Sequence, residues 1–209
     1  MQIKGRILHF VSRKAMNILA GESTVEQLYS LGFVKTPADL YELNKYQLVS
    51  LESWQDKAAQ RFLDSLAESL SVPFERVLFA LGIRYVGEAT ARTLARHFEN
   101  MDALCAASVE QLCEVEDVGD VTAAAIFEYL HTEAHLAEID RLRARGLHFA
   151  IEGQSASLSD ALAGKTVVVS GNFSISREQM KELIAAHGGK AGSSVSSKTS
   201  FLLAGTKPG

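Results

Sequence analysis

Cysteine, proline and tryptophan are scarce in this sequence. Two cysteines, Cys105 and Cys113, cannot complete a four-ligand metal site. They read as partly buried free thiols in a reducing compartment. No apolar run is long enough to cross a bilayer. No secretory signal is recognisable, so the expected location is the cytoplasm. A surplus of base is missing too. The net charge of −4 offers a polyanion no general attraction, so the distribution of charge matters more than its sum. Residues 1–98 carry 12 basic and 10 acidic groups, residues 99–150 carry 3 and 11, and residues 151–209 carry 6 and 4. A polyanion is therefore expected on the earlier part of the chain. Hydrophobic content of 47% over 209 residues leaves room for one or two domains with their own cores.

The stretch that organises the chain is Leu81 to Phe98. A short apolar helix, Phe74 to Leu81, leads into a turn at Gly82 to Gly87. A second helix starts at about Glu88, with Ala89, Ala91, Leu94 and Ala95 on its inner side. The amides of Glu88, Ala89 and Thr90 then have no intrahelical acceptor and favour an anion such as phosphate. A bulky side chain at Gly87 would block close approach, and a β-carbon there is expected to strain the turn.

The pattern recurs. Aligned on the turn, the copies are centred on Gly21, Gln55, Gly87 and Gly119, at spacings of 34, 32 and 32 residues. Leu51, Ile83 and Val115 lie four residues before the turn, and Trp54, Val86 and Val118 one before it. Regular spacing of this kind marks an array of helical hairpins, with or without a ligand. The first copy is irregular at Leu19-Ala20-Gly21. The second has no glycine, but Lys57 could reach a phosphate. Its Trp54 reads as a plug in the core rather than a base-stacking platform. The third adds Arg84 in the turn. The fourth surrounds Gly119 with Glu116, Asp117 and Asp120, so like-charge repulsion makes it a poor phosphate binder or a purely structural element.

Around the repeats, residues 1–19 suit a helix with Ile7, Phe10, Val11 and Met16 on one face. Arg6, Arg13 and Lys14 lie on the other, as a solvated face or as backbone anchors. Thr36 reads as a helix N-cap, with Pro37 first in the helix and Asp39 in the first turn. Asp56 to Leu70 reads as one amphipathic helix, Met101 to Cys113 as two short ones, and Thr122 to Arg145 as one long one. Arg141, Arg143 and Arg145 suit the dipole of that last helix. Gly153 to Ser159 reads as a linker. Beyond it come a strand at Thr166 to Ser170 and a helix at Ser176 to His187, with Met180, Leu183 and Ile184 inward. Two more strands follow at 190–194 and 200–203. This order opens an α/β sandwich.

The hairpins resemble helix-hairpin-helix motifs, which bind DNA backbone through turn amides without reading sequence. GKTVVVSG (164–171), the helix after it and His187-Gly188-Gly189 resemble a BRCT domain. Together, and with HFVSRKAM (9–16), TPADLYEL (36–43) and ALGIRYVGEATA (80–91), they resemble the C-terminal half of bacterial NAD-dependent DNA ligases. The likeness covers nearly the whole chain. It implies a mainly α fold of four tandem helix-hairpin-helix motifs, followed by a truncated α/β BRCT-like domain. Expected boundaries are 1–152, a linker at 153–163, and 164–209. The first glycine of the family's double-glycine turns is replaced here by Leu19, Ser53, Tyr85 and Asp117.

The resemblance implies backbone contacts to double-stranded nicked DNA from Arg13, Lys14, Gly21, Lys57, Arg84, Gly87, Glu88, Ala89, Thr90 and Gly119. It offers Ser170 and Gly171 as part of a BRCT phosphate pocket. No catalytic or metal residue is expected. NAD, magnesium and zinc are implied for a parent ligase, outside this chain. There an adenylation domain with its nucleophilic lysine, an oligonucleotide-binding barrel and a four-cysteine zinc finger precede this region. The chain reads as cut at both ends, and no membrane partner is expected. A non-ligase repair scaffold and a protein-interaction module remain the alternatives.

Overall fold

The computed structural model describes residues 2–151, 161–173, 176–192, 194–197 and 199–206. They form two compact units, divided between Ile151 and Glu152.

The first unit is helical. It contains α1 (Ile3–Val11), α2 (Glu22–Ser30), a 3-10 helix (Pro37–Glu42), α3 (Lys45–Val49) and α4 (Asp56–Ser69). It continues with α5 (Phe74–Ala80), α6 (Glu88–Phe98), α7 (Met101–Ala106), α8 (Val109–Cys113), α9 (Asp120–Leu130) and α10 (Glu133–Ala144). The expected hairpins are α1–α2, α3–α4, α5–α6 and α8–α9. Their apolar positions meet in one continuous core, in which Phe10, Phe62, Phe74, Leu94 and Met101 are fully buried. Leu51, Ile83, Val115, Val86 and Val118 are buried as expected, and Trp54 packs half-buried against the same core. Its ring meets Phe62 edge to face, with centroids 5.7 Å apart.

Some expectations about helices need correction. Ala89 faces outward, because two residues along an α-helix turn it about 200° away from Ala91; Ala91, Leu94 and Ala95 carry the packing. The helix of residues 1–19 ends at Val11, and Ser12 hydrogen-bonds back to the His9 carbonyl. Thr122 to Arg145 is two helices rather than one. The hydroxyl of Thr132 donates to the Glu128 carbonyl at 2.7 Å, and the His131 ring lies 2.8 Å from the Phe127 carbonyl. These side chains engage the carbonyls at the end of α9, and the chain turns to start α10.

That turn lets α10 return to the 3-10 helix, about a hundred residues earlier in the chain. The buried Glu138 carboxylate accepts from the Ala38 N–H at 2.9 Å. Arg141 donates to Asp39 at 2.8 Å and Thr36 at 3.3 Å, and pairs with Glu42 at 3.2 Å. Arg145 also reaches Glu42, and Arg143 pairs with Asp102 at 3.0 Å. The arginine cluster thus has carboxylate partners as well as a helix dipole. Asp39 also accepts from the backbone N–H groups of Lys35 and Thr36, which fixes the start of the 3-10 helix.

The second unit is α/β. It holds β1 (Thr166–Ser170), α11 (Arg177–Ala186), β2 (Lys190–Gly192) and β3 (Phe201–Ala204). The sheet order is β2-β1-β3, with both pairings parallel. β1 is central, which is why Val167 and Val168 are buried. The expected inward face of α11 is only partly right. Ile184 is buried and Met180 half-buried, but Leu183 is exposed. Gly189 closes the turn after α11, where a β-carbon would come within 2.9 Å of Ile184. Of the expected linker 153–163, residues 153–160 lie outside the described residues. Residues 161–163 pack on the turn after α11, with the Leu162 N–H donating to the His187 carbonyl at 2.8 Å.

The contacts between α10 and the 3-10 helix make stability depend on pH. Burial opposes ionisation of Asp39, but Arg141 and the two backbone N–H groups outweigh it and hold the carboxyl below its ordinary range. Hydrogen bonds from Arg141 and Arg145 likewise hold Glu42 low. Both folded-state values are depressed, so this contribution is complete above the ordinary carboxylate range. It is lost as pH falls through the folded values. Asp39→Asn should lower Tm near neutrality and flatten the fall of Tm across the acidic range; parallel acid-side melts of wild type and variant check this.

Candidate nucleic-acid interface

The turns of the second, third and fourth hairpins share one geometry. The N–H of Trp54, Val86 and Val118 donates to the carbonyl three residues earlier, on Leu51, Ile83 and Val115. The residue before each donor is left-handed: Ser53 at φ 66°, Tyr85 at 67° and Asp117 at 63°. This is the third position of a type II turn, where glycine is preferred. These are the residues that stand in place of the family's first glycine, so the backbone keeps the shape at some cost in strain. The first hairpin differs. Its left-handed residue is Asn17 at φ 54°, not Leu19. The Ala20 N–H donates only two residues back, to Ile18, and the Leu19 N–H is held by the Ser65 hydroxyl.

After each turn a helix begins without a side-chain cap. Gly21, Gln55, Gly87 and Gly119 are the N-cap residues of α2, α4, α6 and α9, and none accepts a capping bond through its side chain. By contrast α3, α7 and α8 are capped by Asn44, Asn100 and Ser108. The N–H groups of Glu88, Ala89 and Thr90 have no hydrogen-bond acceptor among the described residues, and those of the matching first turns of α2, α4 and α9 are equally open. Gly87 and Glu88 are exposed, as are Gly21, Lys57 and Gly119.

One expectation about Gly87 is overturned. Its φ is −84°, ordinary for any residue, and a β-carbon there would meet nothing within 4 Å. Gly21 and Gly119 are the same. Strain resides at the turn residue two positions earlier, and glycine at the helix start leaves open space in front of the amides.

The first and third hairpins pack together. The Arg76 side chain donates to the carbonyls of Arg13 and Lys14, and the His9 ring packs edge to face on Phe79. This brings Lys14 to the third hairpin rather than the first, with Nζ 3.6 Å from the Glu88 carboxylate. Arg84 is exposed and stacks over Tyr85 at 4.9 Å. Arg13 and Gly21 instead line a cleft facing the second hairpin. Arg61, which also lines that cleft, and Arg76 were not singled out from sequence. Arg61 follows Lys57 by four residues on α4, a spacing that puts both on one face.

Each of the hairpin-closing helices opens on an acid: Glu22, Asp56, Glu88 and Asp120. Lysines oppose two of them, Lys14 at Glu88 and Lys45 at Asp56. Among the described residues Asp120 has only the Cys113 thiol, at 3.5 Å, with Glu116 and Asp117 close in sequence. Desolvation and nearby carboxylates push both Cys105 and Cys113 up, so neither thiol is activated. Among the described residues no cluster of His, Cys, Asp or Glu could hold a metal ion.

In the second unit, Ser170 ends β1 and its carbonyl accepts from the Gly205 N–H. Gly171 has φ 93°, and a β-carbon would come within 3.1 Å of the Gly205 backbone. That close approach accounts for glycine at 171 without a ligand.

The relocated strain gives a testable outcome. Asp117→Gly should raise stability by up to about 1 kcal/mol by relieving the left-handed residue. Gly87→Ala and Gly119→Ala should leave Tm nearly unchanged, contrary to the expectation of a strained turn. Thermal melts followed by circular dichroism decide both points.

Comparison with known proteins agrees with this architecture. Residues 76–139 match the helix-hairpin-helix motif model, and residues 157–209 match that of the BRCA1 C-terminus (BRCT) domain. The whole chain aligns with a DNA ligase of Parabacteroides distasonis at 49% identity, covering 32% of that protein. It aligns likewise with DNA ligases of Phocaeicola vulgatus at 46% and Flavobacterium psychrophilum at 44%, covering 32% of each. The chain therefore spans about a third of these relatives. Residues 76–139 thus match a helix-hairpin-helix motif and residues 157–209 a BRCT domain, in a chain that is similar over its whole length to part of the DNA ligases.

Proposed function

We propose that this chain is the C-terminal region of an NAD-dependent DNA ligase, and that its helical unit holds nicked duplex DNA for a catalytic domain elsewhere in the parent. The observation that carries the reading is the third hairpin. Three unpartnered helix-start amides, at Glu88, Ala89 and Thr90, open onto space that Gly87 leaves clear. Arg84 is in the turn, and Lys14, brought from α1, offsets the Glu88 carboxylate. Amides and point charges of this kind bind phosphate and carry no base information, so the grip is indifferent to sequence and weakens as salt rises. Gly21, Arg13 and Lys57 extend the grip to the first two hairpins. Gly119 contributes least, because among the described residues no cation opposes Asp120 and the carboxylates of Glu116 and Asp117 add to it in the same turn. The adenylating lysine, NAD, magnesium and a structural zinc belong to the parent's other domains, and the seat of the reaction is the cytoplasm.

Nicked-duplex affinity measured over a series of salt concentrations tests the grip. Arg84→Ala should lower the slope of log affinity against log salt by about one counterion's worth. Gly87→Ala should weaken binding more than Gly119→Ala, with both variants folded; the reverse order would remove the third hairpin from its place. Strong preference for one duplex sequence at matched salt would count against backbone binding. Incubated with NAD and nicked DNA, the chain alone should give neither a protein–adenylate adduct nor a sealed strand.

A further inference from the structure

Between the turn of the first hairpin and the helix of the second lies an open cleft of about 520 Å³. Its walls include Val11, Ile18, Leu19, Trp54 and Phe62, and its charged residues are Arg13 and Arg61. No carboxylate lines it, in a chain that carries more acids than bases. Neither guanidinium has an ion pair or side-chain hydrogen bond among the described residues. A second, smaller cleft shares Asn17, Leu19 and Arg61 with it and is lined by Asp64 and Glu68, yet neither comes within ion-pair distance of Arg61. Arg13 is anchored through its carbonyl, which accepts from Arg76 at 2.8 Å. Leu19 stands 53% exposed at the cleft although its own N–H is tied to Ser65. Trp54 offers the part of its ring that Phe62 does not cover.

An apolar wall with an aromatic plane, next to two unpaired arginines, suits a ligand with a flat body and a concentrated negative charge. The volume falls within the roughly 300–1,000 Å³ typical of small-ligand sites. We propose that this cleft binds a nucleoside monophosphate unit, with the phosphate on Arg13 and Arg61 and the base against Trp54 and Leu19. The unit can be a free nucleotide or one residue of a single strand. The site goes beyond the duplex grip: it shares Arg13 and Gly21 with it, but Arg61 and Trp54 have no part in that grip. Stacking on an aromatic ring tolerates any base, so little base preference is expected.

Trp54 is the only tryptophan in the chain, so its fluorescence reports on the cleft directly. The whole chain is titrated with thymidine 5′-monophosphate, a 5′-phosphorylated oligothymidylate, thymidine and inorganic phosphate. The nucleotide should give a saturable change, with weaker binding by thymidine or phosphate alone. Arg61→Ala should weaken nucleotide binding about tenfold or more, with its circular dichroism unchanged. Tighter binding of the oligonucleotide than of the mononucleotide identifies a strand as the source; equal or weaker binding identifies the free nucleotide. No saturable change with either, an undiminished response in Arg61→Ala, or equal affinity for inorganic phosphate overturns the site. Nicked-duplex binding is measured on the same protein. If it persists while the cleft fails, the backbone grip stands alone; if both are lost, both readings fall.

Discussion

The helical unit depends on a chain reversal that only a left-handed residue can make. In three hairpins the turn places one residue at positive φ, so that the apolar residues on either side of it, Ile83 and Val86 for example, both point into the core. With an extended or right-handed residue there, one of the two would leave the core, and the next helix would start in a different direction. The strain at Ser53, Tyr85 and Asp117 is tolerated because buried apolar contacts on both flanks over-determine the turn. The same geometry sets the direction of the following amides. A turn fixed by packing on its inner side leaves its outer side, the helix start, free of any structural duty.

Helix ends divide in part along the same line. At α3, α7 and α8 an asparagine or serine side chain satisfies an amide, although α1, α5 and α10 also start without a side-chain cap. Where a helix follows a hairpin turn, the cap residue is glycine or an unengaged glutamine, and an acid comes next. The acid compensates the helix dipole from outside without closing the amides. The helix keeps part of its electrostatic stabilisation, and the donors stay open to an incoming anion. Opposing that acid with a lysine, as Lys14 does at Glu88, reduces the repulsion a phosphate would meet.

Much of this was legible in the sequence because it rests on local chemistry. The spacing of Leu51, Ile83 and Val115 located the turns, and the paired apolar positions located the core. Thr36, Pro37 and Asp39 marked a helix start that the structure keeps as a 3-10 helix. Conformation at non-glycine positions was not legible. Nothing in the identity of Tyr85 announces a positive φ, and an open Gly87 looks in sequence like a strained one. The break at His131 and Thr132 was missed because a polar side chain bonding a carbonyl four residues back leaves no periodic trace. The role of Arg141 was missed for another reason. Its partners Asp39 and Glu42 lie about a hundred residues away, and one-dimensional spacing cannot bring them together.

That long-range pairing also bears on the interface. The first hairpin has the weakest turn of the set: its left-handed residue is displaced to Asn17 and its helix start follows an irregular bend. It is held from outside, by Ser65 of α4 on one side and by Arg76 of α5 on the other. The position of Lys14 beside Glu88 is thus a property of the assembled array, not of the segment that carries it. The 3-10 helix, itself packed on α1, is fastened in turn to α10. A loosened attachment of α10 would therefore reach the first hairpin through the 3-10 helix and α1, and shift a cation at the third without touching either turn. The acidic later chain, folding back onto the 3-10 helix, thus adds a long-range hold on the segment that carries Arg13 and Lys14.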